Sequence, residues 1–200
     1  MKYVCFFQLF ILFTNCRRIS TDKEQWGFVK IDSNLVKDRE YKDLDKEEEI
    51  YSLYETEIPN AKRSSGVFYT TDDRDSLDTF ARYFNCRAYL DSNNQLLIKV
   101  GIGGGGGARG FTITYRNKRF YTKPFYFTDV VYDNEVKPTY SISHQYLSLN
   151  KSIYRVGDSL YGKIDFKIFE MSGENINRVH LALGYFRSKV SIEKEYPSRK

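Results

Sequence analysis

Ser159-Leu160-Tyr161-Gly162-Lys163-Ile164-Asp165-Phe166-Lys167-Ile168-Phe169 and, a little further on, Val179-His180-Leu181-Ala182-Leu183-Gly184-Tyr185 are the stretches whose reading decides the fold. In the first, Leu160, Ile164 and Phe166 fall at even spacing among polar partners; in the second, Val179, Leu181, Leu183 and Tyr185 recur at every other position. A helix brings apolar residues round every three to four positions, whereas alternation by two is the rhythm of an extended strand with one buried face. Val179, Leu181, Leu183 and Tyr185 are accordingly expected to face a core.

The same rhythm spreads outward from these stretches. Gln95 to Val100, then Phe111, Ile113 and Tyr115, then Phe125 to Tyr132 and Tyr140 to Leu149 continue the series, punctuated by Gly, Asn and Pro. Seventeen Tyr and fifteen Phe against one Trp and two Met suit a pleated, half-buried surface. Many short strands with turn residues between them predict a mainly β fold, a sandwich or barrel. One helix interrupts the pattern, over about 72–86: Leu77, Phe80, Ala81 and Phe84 share a helical face. Asp72, Asp73, Asp75 and Asp78 stand at its start, where carboxylates cap unpaired N–H groups. A calcium loop needs a central Gly and a closing Glu, which this stretch lacks, so no metal is expected there.

The chain starts differently. Met1-Lys2 is followed by an apolar run from Tyr3 to Phe13, broken only by Gln8. As a helix it would cross about half of a bilayer core roughly 30 Å thick, which is the length of an export signal rather than of a membrane span. Phe13-Thr14-Asn15-Cys16 then leads into Arg17-Arg18 and polar sequence. This segment resembles a bacterial lipoprotein signal, and the resemblance implies a diacylglyceryl group on Cys16, the new N-terminus, and anchoring to a membrane. An ordinary signal peptide, leading to secretion, and an uncleaved anchor are the alternatives. With Cys5 removed and Cys16 lipidated, Cys86 is left alone, a small buried hydrophobe needing no disulfide partner.

Charge divides the rest. Residues 22–57 hold twelve Asp/Glu against six Lys/Arg, and the remainder of the chain to Lys200 is basic. The divisions expected are a signal peptide at 1–16, a charged and partly ordered tether at 17–59, a β domain at 60–192 and a polar tail at 193–200. Trp26-Gly27-Phe28-Val29 could form a short strand or dock on the domain; over 36–56, Tyr41, Leu44, Tyr51 and Tyr54 fall near one helical face, but the acid run Glu47-Glu48-Glu49 leaves a marginal helix and a tether equally open. A chain beginning near Pro59 is expected to keep its fold, because 30–50 carries few apolar groups to offset the cost of ordering it.

A second resemblance lies in Leu149-Asn150-Lys151-Ser152-Ile153-Tyr154-Arg155-Val156-Gly157-Asp158-Ser159-Leu160-Tyr161-Gly162-Lys163-Ile164, which is similar to the opening of an immunoglobulin-like or macroglobulin-like β-sandwich domain. It implies an immunoglobulin-like β-sandwich and no activity. Three or four strands fit into 140–190, so such a sandwich has to recruit strands from 66–132. Signal and aromatic-rich β domain together resemble uncharacterised envelope lipoproteins of Bacteroidota.

Other motifs narrow the function. Gly101-Ile102-Gly103-Gly104-Gly105-Gly106 matches a dinucleotide fingerprint in letters, but a strand pattern follows it rather than the helix N-terminus a pyrophosphate needs. The run reads as a hairpin connection, and neither nucleotide nor any other cofactor is expected. Between 115 and 127, Tyr115, Arg116, Lys118, Arg119 and Tyr121 interleave bases with rings, a surface suited to stacking a glycan; in an exported protein nucleic acid is not the expected partner. His144 and His180 are the only histidines, and neither they nor Cys86 stand in a catalytic motif, so no enzyme activity is expected, a hydrolase using His144 or His180 being the least favoured reading. The expectation is an exported, membrane-tethered binding or structural module of a cell envelope. Its partner would be a glycan or an envelope protein.

Overall fold

The computed structural model describes residues 24–53, 55–71, 84–104, 106–128, 138–172 and 175–192. The protein is mainly β. Its elements are β1 (Gly27–Ile31), a 3-10 turn (Ser33–Lys37), α1 (Arg39–Leu44), β2 (Phe68–Thr70), β3 (Asn85–Leu90), β4 (Leu96–Gly104), β5 (Gly107–Arg116), β6 (Arg119–Thr128), β7 (Thr139–Leu149), β8 (Ser159–Ser172) and β9 (Asn175–Ile192).

These strands form two antiparallel meanders, β3-β4-β5-β6 and β7-β8-β9, laid face to face. Two strands belong to both layers. β1 pairs antiparallel with β6 through Gly27 and Phe28, then parallel with β7 through Val29 to Ile31. The end of β9 pairs parallel with β3, Ala88 opposite Val190. The hydrogen-bonded order β2-β9-β3-β4-β5-β6-β1-β7-β8, with β8 again on β9, closes the sheet into a flattened, sandwich-like shell. The layered, sandwich-like architecture is mainly β as expected; the connections within each layer are meanders, β3 to β6 supply the second layer, and β2 adds to β9 in the other.

Inside, Ile98, Val100, Phe111, Ile113 and Phe120 of one layer meet Leu147, Leu160, Ile164, Phe166 and Phe186 of the other, all without measurable exposure apart from Phe166 at 1 %. Phe111 and Phe166 meet edge to face across the layers, 4.9 Å between centroids. Gly157-Asp158 makes the turn into β8 that its residues suggest: Gly157 has φ +90°, and Asp158 accepts from the Arg155 N–H at 2.9 Å. The glycine run is the β4–β5 hairpin, with Gly104 opposite Gly107 and no helix after it. Lower in that hairpin Gly101 pairs with Gly110, and the Phe125 ring lies over both, in the space their side chains would take.

Three expectations are corrected. The helix expected over about 72–86 falls mostly outside the described residues, but Asn85 and Cys86 open β3, where they pair with Gly101 and Val100. In β9 the buried residues are His180, Ala182, Phe186 and Val190, the opposite phase from Val179, Leu181, Leu183 and Tyr185. Leu183 is 55 % exposed, and Tyr185 faces outward onto α1, where Tyr41 meets it edge to face. The apolar rhythm of β9 is that of its outer face.

The third correction concerns the tether. From Glu24 to Ile58 the chain is a strap built into the shell. Tyr41, Leu35 and Leu44 are buried against Tyr161 and Tyr185, and the Tyr41 hydroxyl donates to the Gly162 carbonyl at 2.8 Å. The carboxylates of this segment grip arginines: Glu47 holds Arg63 at 2.7 Å, while Glu49 and Glu55 hold Arg87 at 2.9 and 2.6 Å. Charge pairing and a few rings order this segment where its low apolar content argues against order. Residues 1–16, carrying the signal expected to end at Cys16, and the tail at 193–200 lie outside the described residues.

Candidate functional site

The β5–β6 hairpin turns on Asn117 and Lys118, with φ of 52° and 61°, a two-residue turn of the type whose twist matches paired strands. Arg116 faces Arg119 across its mouth. Strand alternation then sorts the predicted residues. Tyr115 points inward and is buried; its hydroxyl donates to the Ser152 carbonyl at 2.6 Å, and burial pushes its phenol above the ordinary value. It holds the sandwich together and is withdrawn from the candidate surface. Arg116, Lys118 and Arg119 are exposed, and Tyr121, half-buried, stands beside them on the outer face.

What completes the surface comes from β1, far away in sequence. Gly27 and Phe28 pair with Phe120 and Arg119, which carries Trp26 and Phe28 onto the same face. Trp26 packs edge to face on Tyr121 at 4.8 Å, and the Arg116 guanidinium lies 5.9 Å from the Trp26 ring centre. Arg119 donates to the Trp26 carbonyl at 3.3 Å and covers the Phe28 ring at 5.4 Å. Phe28 is nonetheless 80 % exposed. The Trp26 indole N–H donates to Glu24 at 3.2 Å, which helps hold the ring against Tyr121. Among the described residues none of Arg116, Lys118 and Arg119 has a carboxylate in ion-pair range. Three rings and three unneutralised cations therefore share one patch, suited to stacking a ring-shaped ligand and donating hydrogen bonds to its oxygens. Trp26 and Phe28 were the residues that sequence reasoning left out of this surface; the lone Trp two positions before a Phe was the available signal.

The histidines occupy other places. His180 is buried in the core, its Nδ1 2.9 Å from the Tyr69 hydroxyl and its Nε2 3.0 Å from Glu170. A carboxylate only accepts, so in the neutral ring Nε2 carries the proton and Nδ1 accepts from Tyr69. Burial pushes the Tyr69 phenol well up. His144 is exposed on the outside of β7, 3.0 Å from Asp165. Cys86 has no exposed surface, and burial pushes its thiol far above the range in which it is a nucleophile. The structure brings neither histidine to Cys86 in a shared cleft: one faces the core beside β2 and β8, the other faces solvent. Among the described residues no three His, Cys, Asp or Glu side chains converge as metal ligands. No protein-family model matches the chain, and no curated protein or solved structure matches it either, so the platform of Trp26, Phe28, Arg116, Arg119 and Tyr121 rests on its own geometry.

Proposed function

We propose that the protein is an exported envelope module, held at a membrane by lipid on Cys16, that binds a glycan on the platform of Trp26, Phe28 and Tyr121. The observation that carries this reading is Phe28, a large ring left 80 % exposed beside Arg119, which has no acidic partner among the described residues. A sugar ring presents a C–H face that stacks on such a side chain, and its hydroxyls accept from guanidinium groups. The likeness of Met1 to Cys16 to a lipoprotein signal supports the location, and no helix among the described residues is long and apolar enough to cross a membrane.

Binding to an array of envelope polysaccharides tests the first half. Phe28→Ala and Arg116→Ala remove exposed groups, so melting should be unchanged while affinity for the captured glycan drops about tenfold, roughly 1.4 kcal/mol. Unchanged affinity in both variants, or no glycan captured, would sink the reading. For the second half, cells fed a labelled fatty acid should label the wild type and leave Cys16→Ser unlabelled. Equal labelling of the two, or of neither, removes the anchor.

A further inference from the structure

A cleft of about 1050 Å³ opens between the strap and the outer face of β3 and β4, with the last residues of β9 along its far side. Small-molecule sites occupy about 300 to 1,000 Å³, so there is room for two or three sugar rings. The lining is rich in hydroxyls, with Tyr51 from the strap, Tyr89 from β3 and Thr112 from β5. It includes three carboxylates, and each is already engaged. Glu49 and Glu55 sit on Arg87, and Asp45 holds Arg187 at 2.7 Å. The cations are not used up in the same way. Lys62 from the strap, Lys99 from β4 and Lys189 from β9 line the cleft from three directions, and none has a carboxylate in ion-pair range among the described residues. The Lys99 ammonium lies over the Phe125 ring, 5.1 Å from its centre.

We infer that this cleft is a second binding site, for an acidic saccharide. Three lysines lining one cleft, with no carboxylate in ion-pair range among the described residues, raise the local concentration of anions, and an oligosaccharide carrying carboxylates or phosphates would supply counter-charge. The phenols and the Thr112 hydroxyl match its polyol body. The site does not depend on the Trp26 platform, because none of the platform residues lines it.

Calorimetric titration of the full chain at low salt, with tri-galacturonate, with a phosphorylated trisaccharide and with neutral galactotriose, tests this. At least one acidic probe should bind about tenfold or more tighter than the neutral one, and which acid wins tells carboxylate from phosphate. Affinity should fall as salt is raised. The exposed-lysine variant Lys62→Gln/Lys99→Gln/Lys189→Gln should melt like the wild type and lose that preference, whereas Phe28→Ala/Arg116→Ala should retain it. The inference is overturned if neither acid binds at millimolar concentration, if acidic and neutral probes bind alike, or if the lysine variant binds as the wild type does. Loss of acid binding in the Phe28→Ala/Arg116→Ala variant alone would place the acidic ligand on the platform, and would also overturn the second site.

Discussion

A chain shortened to begin at Pro59 is expected to lose its single cooperative unfolding transition, although composition alone argues that nothing before that point matters. The shortened chain lacks β1, which is the only bridge from β6 to β7 among the described strands. Both neighbours would then present open edges. It also lacks Leu35, Tyr41 and Leu44, whose burial contributes about 1.5 to 3 kcal/mol for each large side chain. The outer faces of Tyr161 and Tyr185 would be bared with them. Against a total stability of about 5 to 15 kcal/mol for an ordinary domain, that loss leaves little folded protein. Circular dichroism and urea unfolding check it, with a chain beginning at Glu24 as the control that should behave as the full length does. An unchanged midpoint for the Pro59 chain would mean that the strap lies on a shell that closes without it.

Arg87→Ala should be the most damaging single substitution in the strap's anchorage, at about 3 to 5 kcal/mol. The Glu49 side chain is only 6 % exposed, and Arg87 is its ion-pair partner. Removing the cation strands that carboxylate, together with Glu55, which also accepts from Asn85 at 2.8 Å. The cost comes mainly from the buried charge left behind. Glu49→Gln in the Arg87→Ala background should therefore recover part of the loss, and the double variant should be clearly more stable than the sum of the singles. Strict additivity in urea midpoints would show that the pair contributes packing alone.

Most of the shell was legible because its strands obey a local rule. Leu160, Ile164 and Phe166 point inward as their even spacing requires, and the Gly157-Asp158 turn stands where those residues permit one. Phase was harder to read than period. In β9 both faces carry apolar residues, and the outward set, Leu181, Leu183 and Tyr185, is the more hydrophobic, so composition pointed to the wrong side. What lies over part of that face is the strap, where the spacing of Tyr41 and Leu44 left a helix open and α1 forms, but what holds it in place was not legible. Its order rests on Tyr41 meeting Tyr185 and on Glu49 meeting Arg87, contacts between residues far apart in the chain that no window of sequence contains. The candidate surface split along the same line. Arg116, Arg119 and Tyr121 came from one hairpin and could be read together. Trp26 and Phe28 arrive through the pairing of β1 with β6.

The two strands shared between the layers also set the order of events in time. The β4–β5 and β5–β6 hairpins and the β7–β8–β9 meander join near neighbours and can form as soon as they are made. Closure cannot, because it needs Val29 beside Leu147 and Ala88 beside Val190, contacts whose intervening loops are long and entropically costly to shut. Until the last residues of β9 are available the shell stays open, so a chain still being synthesised would carry preformed hairpins and complete its shell only once its final strand is free.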